Sequence, residues 1–295
     1  MPLDRRILAQ VYAWLLVLPA MALLILFTHY PTIATLIDSF YSTPRGRRPQ
    51  VFVGLDHYQR MFFEDPVFMQ VLWNNFLYAL VTIPLSIGIA LVMALWMNER
   101  LLGRPFLRMA YFTPTVLPMV AAANIWLFFY TPGFGLLNQI LSLFGIGDVN
   151  FLGSRETVLW SVMAVSIWKE AGFFMIFYLA ALQSIPPSLK EAAKLEGASD
   201  WYYVRRVVLP LLAPTTLFVL VNAVIGAFRV VDHIVAMTGG GPNNASALLL
   251  FYIYETGFRF WDTGYAAALT VVLLAILVTV SVLQVTVLDR RIHYR

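Results

Sequence analysis

The sequence has no cysteine among its 295 residues, so disulfides, iron–sulfur clusters and thiolate zinc sites are excluded. Charge is also scarce. Asp, Glu, Lys and Arg make up 12% of the chain, about half the share in an ordinary soluble domain. Hydrophobic residues make up 60%, against roughly 45–50% in such a domain. A chain with so little polar surface cannot cover itself in water, and lipid must cover it. A soluble enzyme, a nucleic-acid-binding domain and a disordered protein are thereby excluded, and no nucleic-acid partner is expected. The four His residues are scattered and suggest no metal site. The chain also lacks a Gly-x-x-x-x-Gly-Lys-Ser/Thr run, a His-Glu-x-x-His pair and a Gly-x-Ser-x-Gly turn. It is therefore not expected to be an enzyme, and an ATP site, if ATP is used, belongs on another chain.

What the chain does have is long apolar runs. A spanning helix needs about 20 mostly apolar residues, and six runs qualify, near 11–30, 75–97, 106–130, 157–182, 212–236 and 264–288. The first is long and ends in Tyr30-Pro31 with no small-residue cleavage site, so it reads as a span and not a signal peptide. Pro19, Pro84, Pro114 and Pro118 interrupt three of the runs, which a membrane bundle tolerates as kinks. The fold class expected is an all-α integral membrane protein of six helices, forming a single transmembrane domain over 1–295. The net charge of +4 marks loop orientation. With both termini in the cytoplasm, the inner loops hold Arg5, Arg6, Arg100, Arg104, Arg108, Lys190, Lys194, Arg205, Arg206, Arg290, Arg291 and Arg295. The outer loops hold the smaller set Arg45, Arg47, Arg48, Arg60, Arg155 and Arg259, as the positive-inside rule requires. The cluster Arg45 to Arg48 dissents, in an aromatic-rich segment at 32–70 expected to form an outer lip with short helices.

The inner loop at 183–211 has local signals of its own. Pro186 and Pro187 suit a helix entrance, where a missing N–H is no loss. Leu189 to Glu196 are good helix formers, and Gly197 is a natural stop. Ser199 can cap a second short helix with Asp200 in its first turn, ending at Pro210. Two short helices on a glycine hinge are predicted. Ala192 and Ala193 keep the first one slim, so its backbone can approach another surface.

Glu191-Ala192-Ala193, Gly197-Ala198 and Leu209-Pro210, at these spacings, resemble the EAA loop of permease subunits of bacterial ABC importers. Glu196 stands where Asp is common in that loop, and Val207 where Ile is common. Further segments are similar to the carbohydrate-uptake branch: Tyr30-Pro31 with Ser39-Phe40, Phe52-Val53-Gly54-Leu55, Gly135-Leu136-Leu137-Asn138, Ala181 to Pro186, and Thr238 with Gly240-Gly241-Pro242. The resemblance covers nearly the whole chain. It implies a multi-pass subunit of the bacterial inner (plasma) membrane that imports a sugar, polyol or glycerol-3-phosphate-like solute. Its partners would be a second permease, two ATPase subunits and an extracytoplasmic solute-binding protein. This chain would carry no cofactor; ATP and Mg would sit on the ATPase. Glu191, Ala192, Ala193, Gly197 and Ala198 would form the contact with that ATPase. A stand-alone secondary transporter or channel is the competing reading, but it usually shows repeat symmetry and an ion-coupling site, and neither is visible.

Ionisable residues inside spans are costly and usually face a cavity or a partner. Lys169 and Glu170 fall in the fourth run; Asn222, Phe228, Arg229 and Asp232 fall in the fifth. These six are the candidates for a substrate path. Arg229 and Asp232, three residues apart, would lie on one side of the helix, and would either pair with each other or line a polar substrate path. Trp168 and Phe228 would offer a stacking face for a sugar ring or simply pack.

Overall fold

The computed structural model describes residues 5–44, 46, 48–99 and 103–288. Regular structure among them is helical, apart from isolated bridges such as Tyr41–Phe52. In chain order, α1 (Arg5–Leu24) runs through a π turn into α2 (Tyr30–Asp38), followed by the short α3 (Asp56–Gln59). Next come α4 (Pro66–Asn98), α5 (Arg104–Val116), α6 (Met119–Phe129), α7 (Leu136–Leu143) and α8 (Val158–Ser184). The inner loop holds α9 (Pro187–Leu195), α10 (Asp200–Tyr203) and α11 (Leu209–Leu211). The chain finishes with α12 (Ala213–Phe228), α13 (Asp232–Met237), α14 (Leu249–Tyr254) and α15 (Thr263–Leu288). Four helical stretches are long and apolar enough to cross a membrane, Ala9–Asp38, Pro66–Asn98, Val158–Ser184 and Thr263–Thr286, and two bent pairs raise the total to six.

Two of the expected spans are not single helices. The third run breaks at Leu117-Pro118, and its halves are bent by 104°. Pro118 has no N–H, and it holds Leu117 extended (φ −68°, ψ 134°), as a residue before proline prefers. The fifth run ends as a helix at Phe228 and not near 236. Beyond it Val230-Val231 is a β-branched pair with poor helix propensity, and Val231 lies at φ −143°. The inner loop also differs at one end. Its second helix does not stop at Pro210; it widens into a π turn at Val204–Val208 and continues to Leu211 before bending 66° into α12.

The chain divides into two compact units. The first comprises Met1–Glu64 and Ile253–Val272. Here Asp262 gathers the segment that follows α2. Its carboxylate accepts from Thr43 Oγ1 at 2.6 Å and from Arg60 at 2.9 Å, and the Arg60 guanidinium lies 4.2 Å from the centre of the Tyr265 ring. Burial alone would raise the Asp262 carboxyl, but the bonds from Thr43 and Arg60 outweigh it and hold the group below its ordinary value. Gly264 is required beside this knot, since a Cβ there would sit 2.5 Å from the Tyr41 carbonyl.

The second unit comprises Asp65–Tyr252 and Leu273–Arg295. Its centre is the pair α4 and α8. Ala90, Ala94 and Met97 of α4 pack on Phe174, Met175, Tyr178, Leu179 and Leu182 of α8, with Val208, Leu212, Val219 and Ala223 closing the cluster. Small residues on α4 let the two backbones approach, the usual means of association where lipid removes the hydrophobic drive. Gly172 does the same for α5: a Cβ would lie 2.2 Å from the Tyr111 carbonyl. At one end of α4, Asn74 donates to the carbonyls of Asn244 and Ala247 and Asn75 accepts from Leu249 N–H. These bonds pin the Gly-Gly-Pro segment of the same unit.

Candidate functional site

A cleft of about 210 Å³ opens in the second unit between α4, α8 and the stretch where α12 gives way to α13. Its walls follow from helical spacing. Tyr78, Thr82 and Ser86 stand four apart on α4, and Ser166, Glu170 and Phe174 stand four apart on α8. Each set forms one stripe. Ala223, Gly226 and Ala227 keep the α12 wall thin, and Arg229, Asp232 and His233 come from the break beyond it.

The floor is a buried polar chain. Tyr78 Oη donates to Ser166 Oγ at 2.6 Å, and His233 Nε2 lies 3.0 Å from the same oxygen. All three side chains are buried. Burial without partners would cost each of them several kcal/mol in lipid. Glu170, Arg229 and Asp232 are exposed and form the charged rim. Lys169 also lines the cleft, but its ammonium is engaged elsewhere. It donates to the carbonyls of Pro114 at 3.0 Å, Thr115 at 3.3 Å and Leu117 at 2.5 Å. These are the groups left free where α5 ends at the proline break. A cation at a helix C-terminus also matches the helix dipole.

The six residues singled out in the sequence therefore separate. Lys169, Glu170, Arg229 and Asp232 meet at the cleft. Phe228 is buried in packing. Asn222 is exposed and bonds its own helix at Phe218 O, 2.8 Å. The expected pairing of Arg229 with Asp232 does not form: among the described residues no ion pair joins them. The helix that would have put them on one side ends at Phe228, just before Arg229, so spacing of three no longer implies a shared face. Trp168 meets Trp126 edge to face, 5.6 Å between centroids. The residues missed were Tyr78, Thr82, Ser86, Ser166 and His233. A signal was present, because polar side chains recur every fourth residue within apolar runs.

At the other end of α8 lies the loop at 183–211. Pro186 caps and Pro187 opens α9, Gly197 turns at φ +74°, and Ser199 accepts from Tyr202 N–H at 3.2 Å to cap α10. No residue of α9 is buried. Glu191, Ala192 and Gly197 are exposed and Ala193 and Ala198 half-buried. Leu195 (90% exposed) and Trp201 (70%) are left uncovered beside them. Among the described residues no three His, Asp or Glu side chains gather where they would hold a metal ion.

A bundle of broken and continuous spans, a polar cleft among them and an exposed helical hairpin on a glycine define a membrane transport subunit. The chain belongs to the family described as "Binding-protein-dependent transport system inner membrane component", whose model matches residues 86–294. It is thus a multi-pass inner-membrane permease of an ABC importer, a transport component that is not itself catalytic and carries no cofactor of its own. It is 33% identical over 279 residues to the probable ABC transporter permease protein YurN of Bacillus subtilis (strain 168), covering 93% of this chain and 95% of that protein. It is 32% identical over 286 residues to the sn-glycerol-3-phosphate transport system permease protein UgpA of Agrobacterium fabrum, covering 97% of each. The trehalose/maltose transport system permease protein MalF of Thermococcus litoralis is 31% identical over 277 residues, covering 93% and 92%. The fold is similar to that of a chain in a bacterial ABC transporter involved in the import of the acidic polysaccharide alginate. The TM-score is 0.86 at 24% identity, over 97% of this chain and 98% of that one.

Proposed function

We propose that this chain, acting as one permease domain with both termini in the cytoplasm, forms half of the path through which a neutral sugar or polyol enters the cell. A second permease supplies the other half. Two ATPase subunits work on the inner side and a solute-binding protein delivers substrate on the outer side. The observation that carries the substrate class is the balance of charge in the cleft. Relatives include permeases for trehalose/maltose and for sn-glycerol-3-phosphate, so both neutral and anionic solutes are in range. In this cleft the Lys169 charge is engaged by carbonyls. Two carboxylates, Glu170 and Asp232, then match the two cations, Lys169 and Arg229, and only Arg229 keeps its donors uncommitted to those carbonyls, so the cleft offers a phosphate no surplus of cations. That balance disfavours a phosphate, which calls for a surplus of Arg or Lys. It favours hydroxyl groups, which pair with carboxylates and with the donors and acceptors of Tyr78, Ser166 and His233.

On the inner side, the segment Ser188 to Gly197 is the ATPase contact, with Glu191 the polar anchor and Ala192 and Ala193 the close face. Copurification from membranes with an ATPase and a second permease supports the assembly, and isolation of the chain alone counts against it. Glu191→Lys is expected to abolish uptake while the permease remains in the membrane; normal uptake removes the assignment. For the cleft, Glu170→Gln should lower uptake of a neutral sugar in proteoliposomes at least tenfold. If glycerol-3-phosphate is imported in preference, the neutral-solute reading fails.

A further inference from the structure

We propose that Glu99 and Lys190 are positioning residues that set the angle of α9 against the bundle, and so decide how much of an ATPase movement reaches the cleft. The proposal rests on the reading of α9 as the ATPase contact.

Three observations meet here. First, α9 is held by hinges. Ile185 is extended at ψ 124° before Pro186, and Gly197 takes φ +74°. Both are points where a rigid segment can swing. Second, α9 does not rest on the bundle by packing. It buries no residue, and a cavity of about 410 Å³ lies behind it, lined by Asn98, Gln183, Lys190, Asp200 and Tyr203 among others. Third, among the described residues a side-chain link crosses that space: Lys190 Nζ donates to Glu99 Oε1 at 2.8 Å. Glu99 is the residue that ends α4. Two hinges and one strut fix a lever; two hinges alone leave it free to rotate about the line between them.

The strut also chooses where force goes. α8 leads into α9 through Ile185-Pro186, and α8 carries Ser166 and Glu170 into the cleft. The Glu99 link adds α4, which carries Tyr78, Thr82 and Ser86 into the facing wall. Both walls are then driven by one helix. The pair is partly exposed, 37% on the Lys190 side chain and 61% on Glu99, so it contributes little to stability. That makes its effect on coupling separable from folding.

The experiment uses the assembled importer in proteoliposomes, with ATP hydrolysis measured with and without the binding protein as purified from its native cells. Glu99→Gln, outside the ATPase contact, should lower the stimulation about two- to five-fold, the range an exposed ion pair can set, with unstimulated hydrolysis and complex yield retained; Lys190→Met should lower the stimulation by a similar factor. The exchange Glu99→Lys with Lys190→Glu should restore it. Raising salt should weaken stimulation in the native complex and leave Lys190→Met nearly flat, because such a pair is screened. Unchanged stimulation in the single variants, or no recovery in the exchange, overturns the proposal. Leu195→Cys in this cysteine-free chain keeps the two readings apart. If that position cross-links to the ATPase while Glu99→Gln couples normally, the strut alone is wrong. If it does not cross-link in the native background, the ATPase-contact reading itself falls, and the strut with it.

Discussion

Lys169 shows how one side chain settles two problems. A proline break within lipid strands backbone carbonyls, and a lysine within a span strands a charge; each is expensive alone. Here the ammonium sits on three carbonyls at the end of α5, and each cost cancels much of the other. Lys169→Met leaves the carbonyls without partners, at about 1–3 kcal/mol for each one that finds no other donor. The variant should melt at lower temperature in detergent, and Lys169→Arg should recover part of the loss. Equal melting of Lys169→Met and the native chain would mean the break is held by something else. Gly172 is as strict for a different reason. A methyl group would push into the Tyr111 carbonyl, so Gly172→Ala should cost about 1–3 kcal/mol through overpacking. The same change at Gly226, with nothing within 4 Å, should be nearly silent in the same melting assay.

At the scale of elements, the outer knot around Asp262 has a pH dependence with a definite sign. Its folded pKa is lowered, so its contribution is complete above the unfolded value and fades as pH falls through the folded one. Protection of the Ser42 and Val53 amides, measured against their intrinsic exchange rates, should therefore fall below about pH 4, and Asp262→Asn should remove that dependence. Elements built from local signals were the legible ones. The α9–α10 hairpin is written in Pro186-Pro187, Gly197 and Ser199, all acting within a turn of where they stand. The 104° bend was only half legible: Pro118 announces a break, but the carbonyls at the break are met by Lys169 from another helix, which local sequence does not show. The Tyr78–Ser166–His233 chain was legible as three polar residues in apolar runs, not as a cluster, because 88 residues separate the first bond's partners and spacing carries no information across that distance. Arg229 and Asp232 misled because helical spacing was extended past a point where the helix stops.

For the whole molecule, topology is directly testable because the chain has no native cysteine. Positions 3 and 294, expected inside, lie outside the described residues. Exposed sites within them serve as well. Leu195→Cys should react with a membrane-impermeant maleimide only after permeabilisation, and Phe63→Cys (86% exposed) should react in intact cells; the reverse pattern would invert the orientation. The length of α4 has a separate consequence. Its 33 residues make a rod of about 50 Å, while the hydrocarbon core is about 30 Å thick. The rod must lean, or stand proud with its amide-bearing start at Gln70 to Asn75 and its Asn98-Glu99 end in the headgroups. Acyl-chain length would then be a control parameter for the transporter. Thinner bilayers would lay the rod over and thicker ones would stand it up, moving Tyr78, Thr82 and Ser86 against the opposite wall. Transport in proteoliposomes of graded chain length should pass through a maximum and decline on either side.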